Sequence, residues 1–266
     1  MISIITISFN QSEYLERCIN SISNQTNKNY EHIIIDAGST DGSRELIKSY
    51  QKHFSHIIFE EDQGPADGLN KGFSLAEGDI YCFINSDDML ESNCIDIVEN
   101  YFRLNPKVDI ASGHSYIISA NDSIRRVLYS DRYNLYYAGM NKSIISQQST
   151  FFRSNIINDK KILFNIYNKI AWDYEFFLDC RLAGARFGLI PSILSSYRVY
   201  PGTITSSTNL RERTKEYEDN AFKKVYPRYL IRFKFIMKPL FSITRKILNY
   251  KDTLERIRKG PVIDSK

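Results

Sequence analysis

With 266 residues, 42% of them hydrophobic and 13% aromatic, the chain is long enough for one large α/β domain and too aromatic for extended disorder. Its four cysteines are widely spaced without a Cys-x-x-Cys pair, which points to reduced, buried thiols rather than a disulfide framework or zinc site. The formal net charge of +4 is unevenly placed: residues 221–259 hold twelve Lys or Arg against Asp252 and Glu255, a local +10 that leaves about −6 elsewhere.

Met1 leads directly into an apolar β-branched run over residues 2–8, without a basic leader or long apolar core, so a cytoplasmic protein is expected. Residues 11–24 carry Tyr14, Leu15, Cys18, Ile19 and Ile22 at helical spacing. A second buried strand is predicted over 32–36, then the turn-rich Ala37-Gly38-Ser39-Thr40-Asp41-Gly42 and a helix over 43–50. A third strand over 57–60, a helix over 66–76 and a fourth strand over 80–85 follow, ending at Ser86-Asp87-Asp88. This alternation predicts an α/β fold, a mainly parallel sheet sandwiched by helices. In such sheets ligands bind at the carboxyl ends of the strands, where Ser8-Phe9-Asn10, Asp36-Ala37-Gly38 and Ser86-Asp87-Asp88 all fall.

The second half is less regular. Strands are predicted over 110–120, 124–129, 149–153 and 187–199, with a helix over 173–182. Residues 1–208 are read as one domain, a front half over 1–100 and a second half over 101–208. Residues 209–266 form a basic amphipathic helical tail. There Tyr229, Phe233, Ile236, Leu240, Ile243 and Ile247 make a helical stripe that Pro239 should kink or divide.

Adjacent carboxylates at a strand end repel each other and raise a pKa unless a cation neutralises them. Hard oxygen ligands beside a diphosphate suit Mn²⁺ or Mg²⁺. The alternative is that Asp87 and Asp88 cap a helix starting near residue 92. The four histidines have no ligand spacing.

The ordered set Ile7-Ser8-Phe9-Asn10, Gln25-Thr26, Ile35-Asp36-Ala37-Gly38-Ser39-Thr40-Asp41-Gly42, Asn70-Lys71-Gly72, Ala76-Glu77-Gly78-Asp79 and Asn85-Ser86-Asp87-Asp88 resembles the family-two inverting glycosyltransferases of the GT-A (nucleotide-diphospho-sugar transferase) fold. It is dense over residues 2–100 and thinner to about 206. The resemblance implies that Asp87 and Asp88 form the aspartate motif, with Asp88 the direct metal ligand. It places Phe9 against the nucleotide base, Asn10 and Asp36 in the nucleotide pocket, and Asp67 and Lys71 near the donor. Ala37 departs from relatives that carry a second Asp there, which leaves the base open, with a UDP-sugar expected. Ala171-Trp172-Asp173-Tyr174-Glu175 resembles the segment whose Asp is the general base, here Asp173; an N-cap is its ordinary reading. Tyr197-Arg198-Val199-Tyr200-Pro201-Gly202 matches a late segment that often has His where Tyr200 stands, so a sparse metal shell is expected.

The implied activity is inverting transfer of one sugar from a nucleotide-diphosphate donor to a saccharide hydroxyl, in lipopolysaccharide, capsule or exopolysaccharide assembly. The acceptor would be lipid-linked, with residues 222–259 on an anionic membrane surface at the inner face of the cytoplasmic membrane. A homodimer is the other use of the stripe, and without a recognised binding module nucleic acid is not expected. Processive synthases are excluded by the lack of membrane spans and of a Gln-x-x-Arg-Trp segment. The alternatives are a nucleotidyltransferase, whose Gly-rich basic loop residues 8–12 lack, and a sugar-nucleotide-binding protein without activity.

Overall fold

The computed structural model describes residues 1–201 and 210–260, so the 208/209 boundary and Gly202 lie outside the described residues. The front half alternates strand and helix: β1 (Ile2–Ser8), α1 (Ser12–Ser23), β2 (Tyr30–Asp36), α2 (Ser43–Ser49), β3 (His56–Phe59), α3 (Pro65–Ser74) and β4 (Ile80–Asn85). β1, β2 and β4 are near-continuous apolar runs because both sheet faces are covered. The short β5 (Met89–Leu90) and α4 (Cys94–Leu104) follow. The second half contains β6 (Ile110–Ile118), β7 (Ile124–Leu128), α5 (Leu135–Gly139), β8 (Thr150–Arg153), α6 (Asn155–Asn158), α7 (Trp172–Leu182) and β9 (Phe187–Arg198).

The strand order is β3-β2-β1-β4-β8-β6-β9-β5, with β7 paired to β6. Parallel pairing joins β3, β2, β1 and β4 as expected. The second half departs from it: β8 lies antiparallel between β4 and β6, and β5 and β7 also pair antiparallel. The front half is βαβ units, which force parallel strands, while the second half has short returns that permit reversal.

Two cores flank the sheet. One face buries Phe73, Phe83, Phe152, Phe164, Phe176 and Phe177 beneath α3 and α7, with Phe164 stacked on Phe176 at 4.0 Å between centroids. Truncating one such ring costs about 3–5 kcal/mol. The other face packs Cys18, Ile22, Cys94, Ile95 and Val98 from α1 and α4. Gly72 explains its place in the Asn-Lys-Gly segment: a Cβ there would meet Ile5 at 2.6 Å and Ile35 at 2.7 Å. α3 can lie against β1 and β2 only with glycine at that contact.

The tail forms α8 (Leu210–Val225), a 3₁₀ turn, α9 (Lys234–Leu248) and α10 (Tyr250–Lys259). Pro239 lies inside α9, which remains one continuous helix rather than two. The tail is also built into the fold. Ala221 packs with Ala138 and Leu178, and Phe222 and Tyr226 pack with Met140 and Phe241. Arg245 binds Asp131 at 2.9 Å and the buried Asp252 at 3.0 Å, and Val127 N–H donates to Glu255 at 3.2 Å. Lys234 and Lys238 pair with Asp219 and Glu218. Several tail cations are therefore spent inside the molecule, while all six stripe residues stay 49–71% exposed.

Candidate active site

The register Ser8↔Asp36 and Ile7↔Asn85 brings the carboxyl ends of β1, β2 and β4 level. Beside them opens a cavity of about 830 Å³, lined by Ser8, Phe9, Gln11, Ala37, Gly38, Glu61, Asp62, Asn85, Asp87, Trp172, Arg198 and Tyr200 among others. Both halves of the chain contribute to it.

Among the expected site residues, Phe9 and Asp87 line this cavity. Phe9 is 58% exposed, so its ring is available for stacking rather than held in the core. Asn10 has φ of 52°, a left-handed conformation asparagine tolerates. Its N–H donates to Ser39 Oγ at 2.8 Å, and its Oδ1 accepts from Thr40 N–H at 2.9 Å. Asn10 thus ties the first two polar loops together.

Asp36 is fully buried beneath this tie. It accepts from Gly38 N–H, Ser39 N–H and Ser39 Oγ, and from Arg44 Nε at 2.7 Å. Burial pushes its pKa up, but Arg44 and Ser39 outweigh that and hold the carboxyl low. Expected in the nucleotide pocket, it instead shapes the loop from behind, since its acceptor sites are already engaged. Asp67 and Lys71 are also absent from the cavity wall. Lys71 donates to Glu61 C=O at 2.8 Å and lies 3.4 Å from Glu60, and Asp67 accepts from Gln63 N–H at 3.0 Å. The acidic loop before α3 consumes the lysine that was expected near the donor.

Asp87 and Asp88 do not cap α4, whose N-cap is Asn93 with no side-chain cap bond. The two-residue strand β5 intervenes, pairing Met89 with Ser196 and Leu90 with Ser195. That pairing brings the acidic turn against the end of β9. Asp88, 1% exposed, accepts from Arg198 N–H at 2.8 Å. Asp87 accepts from Tyr200 OH at 3.1 Å, and this hydroxyl also lies 3.0 Å from Gln11 Oε1. Burial raises both carboxyls, and Asp87 pushes Asp88 up further, so it stands well above the usual range. A pair so placed is short of positive charge. Hard oxygens with raised affinity for a cation fit Mn²⁺ or Mg²⁺. Among the described residues no cluster of three or more His, Cys, Asp or Glu side chains is gathered, so any ion here would take most of its shell from non-protein oxygens.

Asp173 lies in the first turn of α7, next to Trp172 in the cavity wall. Ala171 is the N-cap, so Asp173 is not a cap. Its Oδ1 accepts from Tyr174 N–H at 2.8 Å. Burial raises its pKa against that bond, which suits a carboxylate that must take a proton. Glu175 is tied to Asn168 and Lys224 instead.

Sequence reasoning gave no role to Arg198, Gln11, Glu61 or Asp62, all of which line the cavity. Arg198 sat within the quoted Tyr197–Gly202 segment, a signal left unused. The others follow from the loop path alone.

A parallel front sheet with an acidic turn at its carboxyl edge, completed by a second half, defines the GT-A class of nucleotide-diphospho-sugar-binding folds. The sequence pattern of "Glycosyl transferase family 2" matches residues 3–165, and the chain belongs to that family. It is 34% identical over 124 residues to an uncharacterized glycosyltransferase of Nostoc sp., covering 46% of this chain but only 38% of that relative's length. Among solved structures, S. aureus TarS in complex with UDP-GlcNAc superposes with a TM-score of 0.66 at 16% identity, covering 100% of this chain and 95% of that one. The mannosyltransferase PcManGT from Pyrobaculum calidifontis, in complex with GDP-Man and Mn²⁺, gives 0.62 at 16%, covering 98% and 76%. These likenesses show the same fold.

Proposed function

We propose that the protein transfers one sugar, with inversion, from a nucleotide-diphosphate sugar to a saccharide hydroxyl. One observation carries the reading: a single cavity is walled both by Asp87 of the acidic turn and by Trp172, the neighbour of Asp173. In this reading Phe9 stacks on the base while Asp87 and Asp88 hold a divalent ion against the diphosphate. The ion, Mn²⁺ or Mg²⁺, supplies charge neutralisation for the departing nucleoside diphosphate. Asp173 takes the acceptor's hydroxyl proton as that oxygen bonds to the anomeric carbon and the carbon–oxygen bond to the diphosphate breaks. Complexes of neighbours with UDP-GlcNAc and with GDP-Man support a nucleotide-sugar donor, and Ala37 leaves the base open between them.

The test is incubation with a panel of nucleotide sugars and saccharide acceptors, with and without Mn²⁺, reading the products by NMR. A nucleoside diphosphate and a sugar of inverted anomeric configuration are expected. Pyrophosphate release would favour nucleotidyl transfer, and retained configuration would remove the single-displacement route.

A lipid-linked acceptor in surface-polysaccharide assembly, met at the inner face of the cytoplasmic membrane, completes this reading. No helix among the described residues is long and apolar enough to cross a membrane. The exposed tail stripe supports a seat on the membrane surface, flanked by exposed Arg228, Arg232, Lys246, Lys251, Arg258 and Lys259. Near an anionic bilayer each such cation contributes about 1 kcal/mol. A homodimer through the same face would set these cations against their own copies. Because α8 packs into the domain, truncation would uncover Ala138 and Leu178, so substitution of the exposed face is the sharper test. Ile236→Ser, Leu240→Ser and Ile243→Ser together should release the full chain from anionic vesicles while leaving transfer to a soluble acceptor intact. Unchanged vesicle binding would sink this part.

A further inference from the structure

Arg198 ends β9, and its guanidinium is enclosed within the molecule. Its side chain is 0% exposed, in a residue that lines the cavity. The main-chain N–H holds Asp88, and Nε donates to Asp87 C=O at 2.8 Å. Nη1 donates to Ser119 C=O at 3.0 Å, Ala120 C=O at 3.1 Å and Asp122 Oδ1 at 2.5 Å. The guanidinium carbon lies 4.6 Å from the Tyr14 ring centroid. The residue therefore joins the acidic turn, the β6–β7 hairpin and α1 at one point.

The fork is nevertheless incomplete. Nη2 is buried and has no hydrogen-bond partner. Ser8, which lines the same cavity, also has a buried hydroxyl without one. Leaving a buried charged donor unmet is costly, and most such groups in folded proteins are satisfied. Two unmet polar atoms on residues of one cavity point to a polar ligand that supplies the missing acceptors. The donor on Arg198 is cationic and planar, which matches phosphate oxygens.

We propose that Arg198 is a fixed cation of the donor site: it holds the Asp87–Asp88 turn in place and gives Nη2 to a diphosphate oxygen. This rests on the nucleotide-sugar reading above and deepens it. A metal held by two carboxylates leaves part of the diphosphate charge unmet, and Arg198 supplies permanent positive charge. The protein then keeps measurable affinity for a nucleoside diphosphate without metal.

The experiment is calorimetric titration of UDP and GDP into the full chain, in EDTA and in Mn²⁺, for wild type, Arg198→Lys and Arg198→Met. Wild type should bind at least one of them in EDTA, and both variants should lose about 10- to 100-fold there, as for a lost charge-assisted bond. A smaller loss is expected in Mn²⁺, where the ion shares the charge. A purely structural arginine would lower Tm and leave the ratio of EDTA to Mn²⁺ affinities unchanged, which would overturn the proposal. So would wild type binding only with Mn²⁺. Binding under neither condition would remove the donor reading itself, and this inference with it. Should the variants fail to fold, a wild-type complex with the bound diphosphate decides: Nη2 should lie within about 3.2 Å of a phosphate oxygen, and a separation without contact overturns the assignment.

Discussion

At the end of β2, Asp36 is enclosed by Arg44, Ser39 and two loop N–H groups, and its carboxyl is held low. At the end of β4, two strands away across β1, Asp87 and Asp88 are buried with fewer compensating partners, and both carboxyls are raised. The residue type and the topological position are the same, yet the electrostatic states are opposite. A carboxylate whose acceptor sites are filled by its own loop is part of the scaffold. One that remains buried and charge-deficient is poised for something outside the chain. Asp173 belongs with the second kind, since burial raises it against a single backbone bond from Tyr174. The donor half therefore contains both a satisfied acid that builds the pocket and unsatisfied acids that would work in it.

The comparison breaks if substitution does not separate these kinds. The largest effect is expected for Asp173→Asn, which keeps shape and hydrogen bonding but cannot take a proton. Transfer should fall about 10²- to 10⁴-fold with an unchanged circular dichroism spectrum, and retained transfer would remove Asp173 as the base. Asp88→Asn keeps an acceptor for Arg198 N–H and should lower transfer about 10²- to 10³-fold, with a greater need for Mn²⁺ as its readout.

Asp36→Ala should behave in the opposite way. It strands a guanidinium, a hydroxyl and two N–H groups, and breaking such a buried pair costs about 3–5 kcal/mol. For a chain of this size that is a fall in Tm of roughly 6–20 °C, read by differential scanning calorimetry. Activity per folded molecule should change much less than in Asp88→Asn. A fully stable Asp36→Ala variant would mean that the satisfied acid is not structural.

The strands and helices of the front half were legible because βαβ units write their periods locally. The 80–85 strand matched residue for residue, and its neighbours matched within two or three. Asp87-Asp88 could be placed at a strand end from sequence, but not against Arg198. That contact depends on β5, two residues long and paired with residues more than a hundred positions away, and no local period encodes so short a strand. The fate of Lys71 was hidden for a related reason: its partners, Glu60 and Glu61, sit on a loop whose path only the fold determines. In the tail the stripe was visible, but the periodicity did not say which face would pack. The structure spends Lys234, Lys238 and Arg245 inward and leaves the apolar stripe outside.

The smallest effect is also the most diagnostic, because it tests the unsatisfied state of Asp173 without any assay of transfer. Its pKa is raised in the fold by burial, so the folded protein holds that proton more tightly than the unfolded chain does. Below the ordinary carboxylate range both states are protonated, and Asp173 costs the fold nothing. As pH rises through the ordinary value and on to the raised one, the unfolded chain gives up the proton first. Stability is lost over that window, and above it the penalty is constant. Asp173→Asn has no such proton, so its Tm should match wild type at low pH and exceed it increasingly toward neutrality. The gain should be smaller than the loss in Asp36→Ala. A variant less stable than wild type at neutral pH, or a gap that does not change with pH, would show that Asp173 is satisfied in the fold, like Asp36.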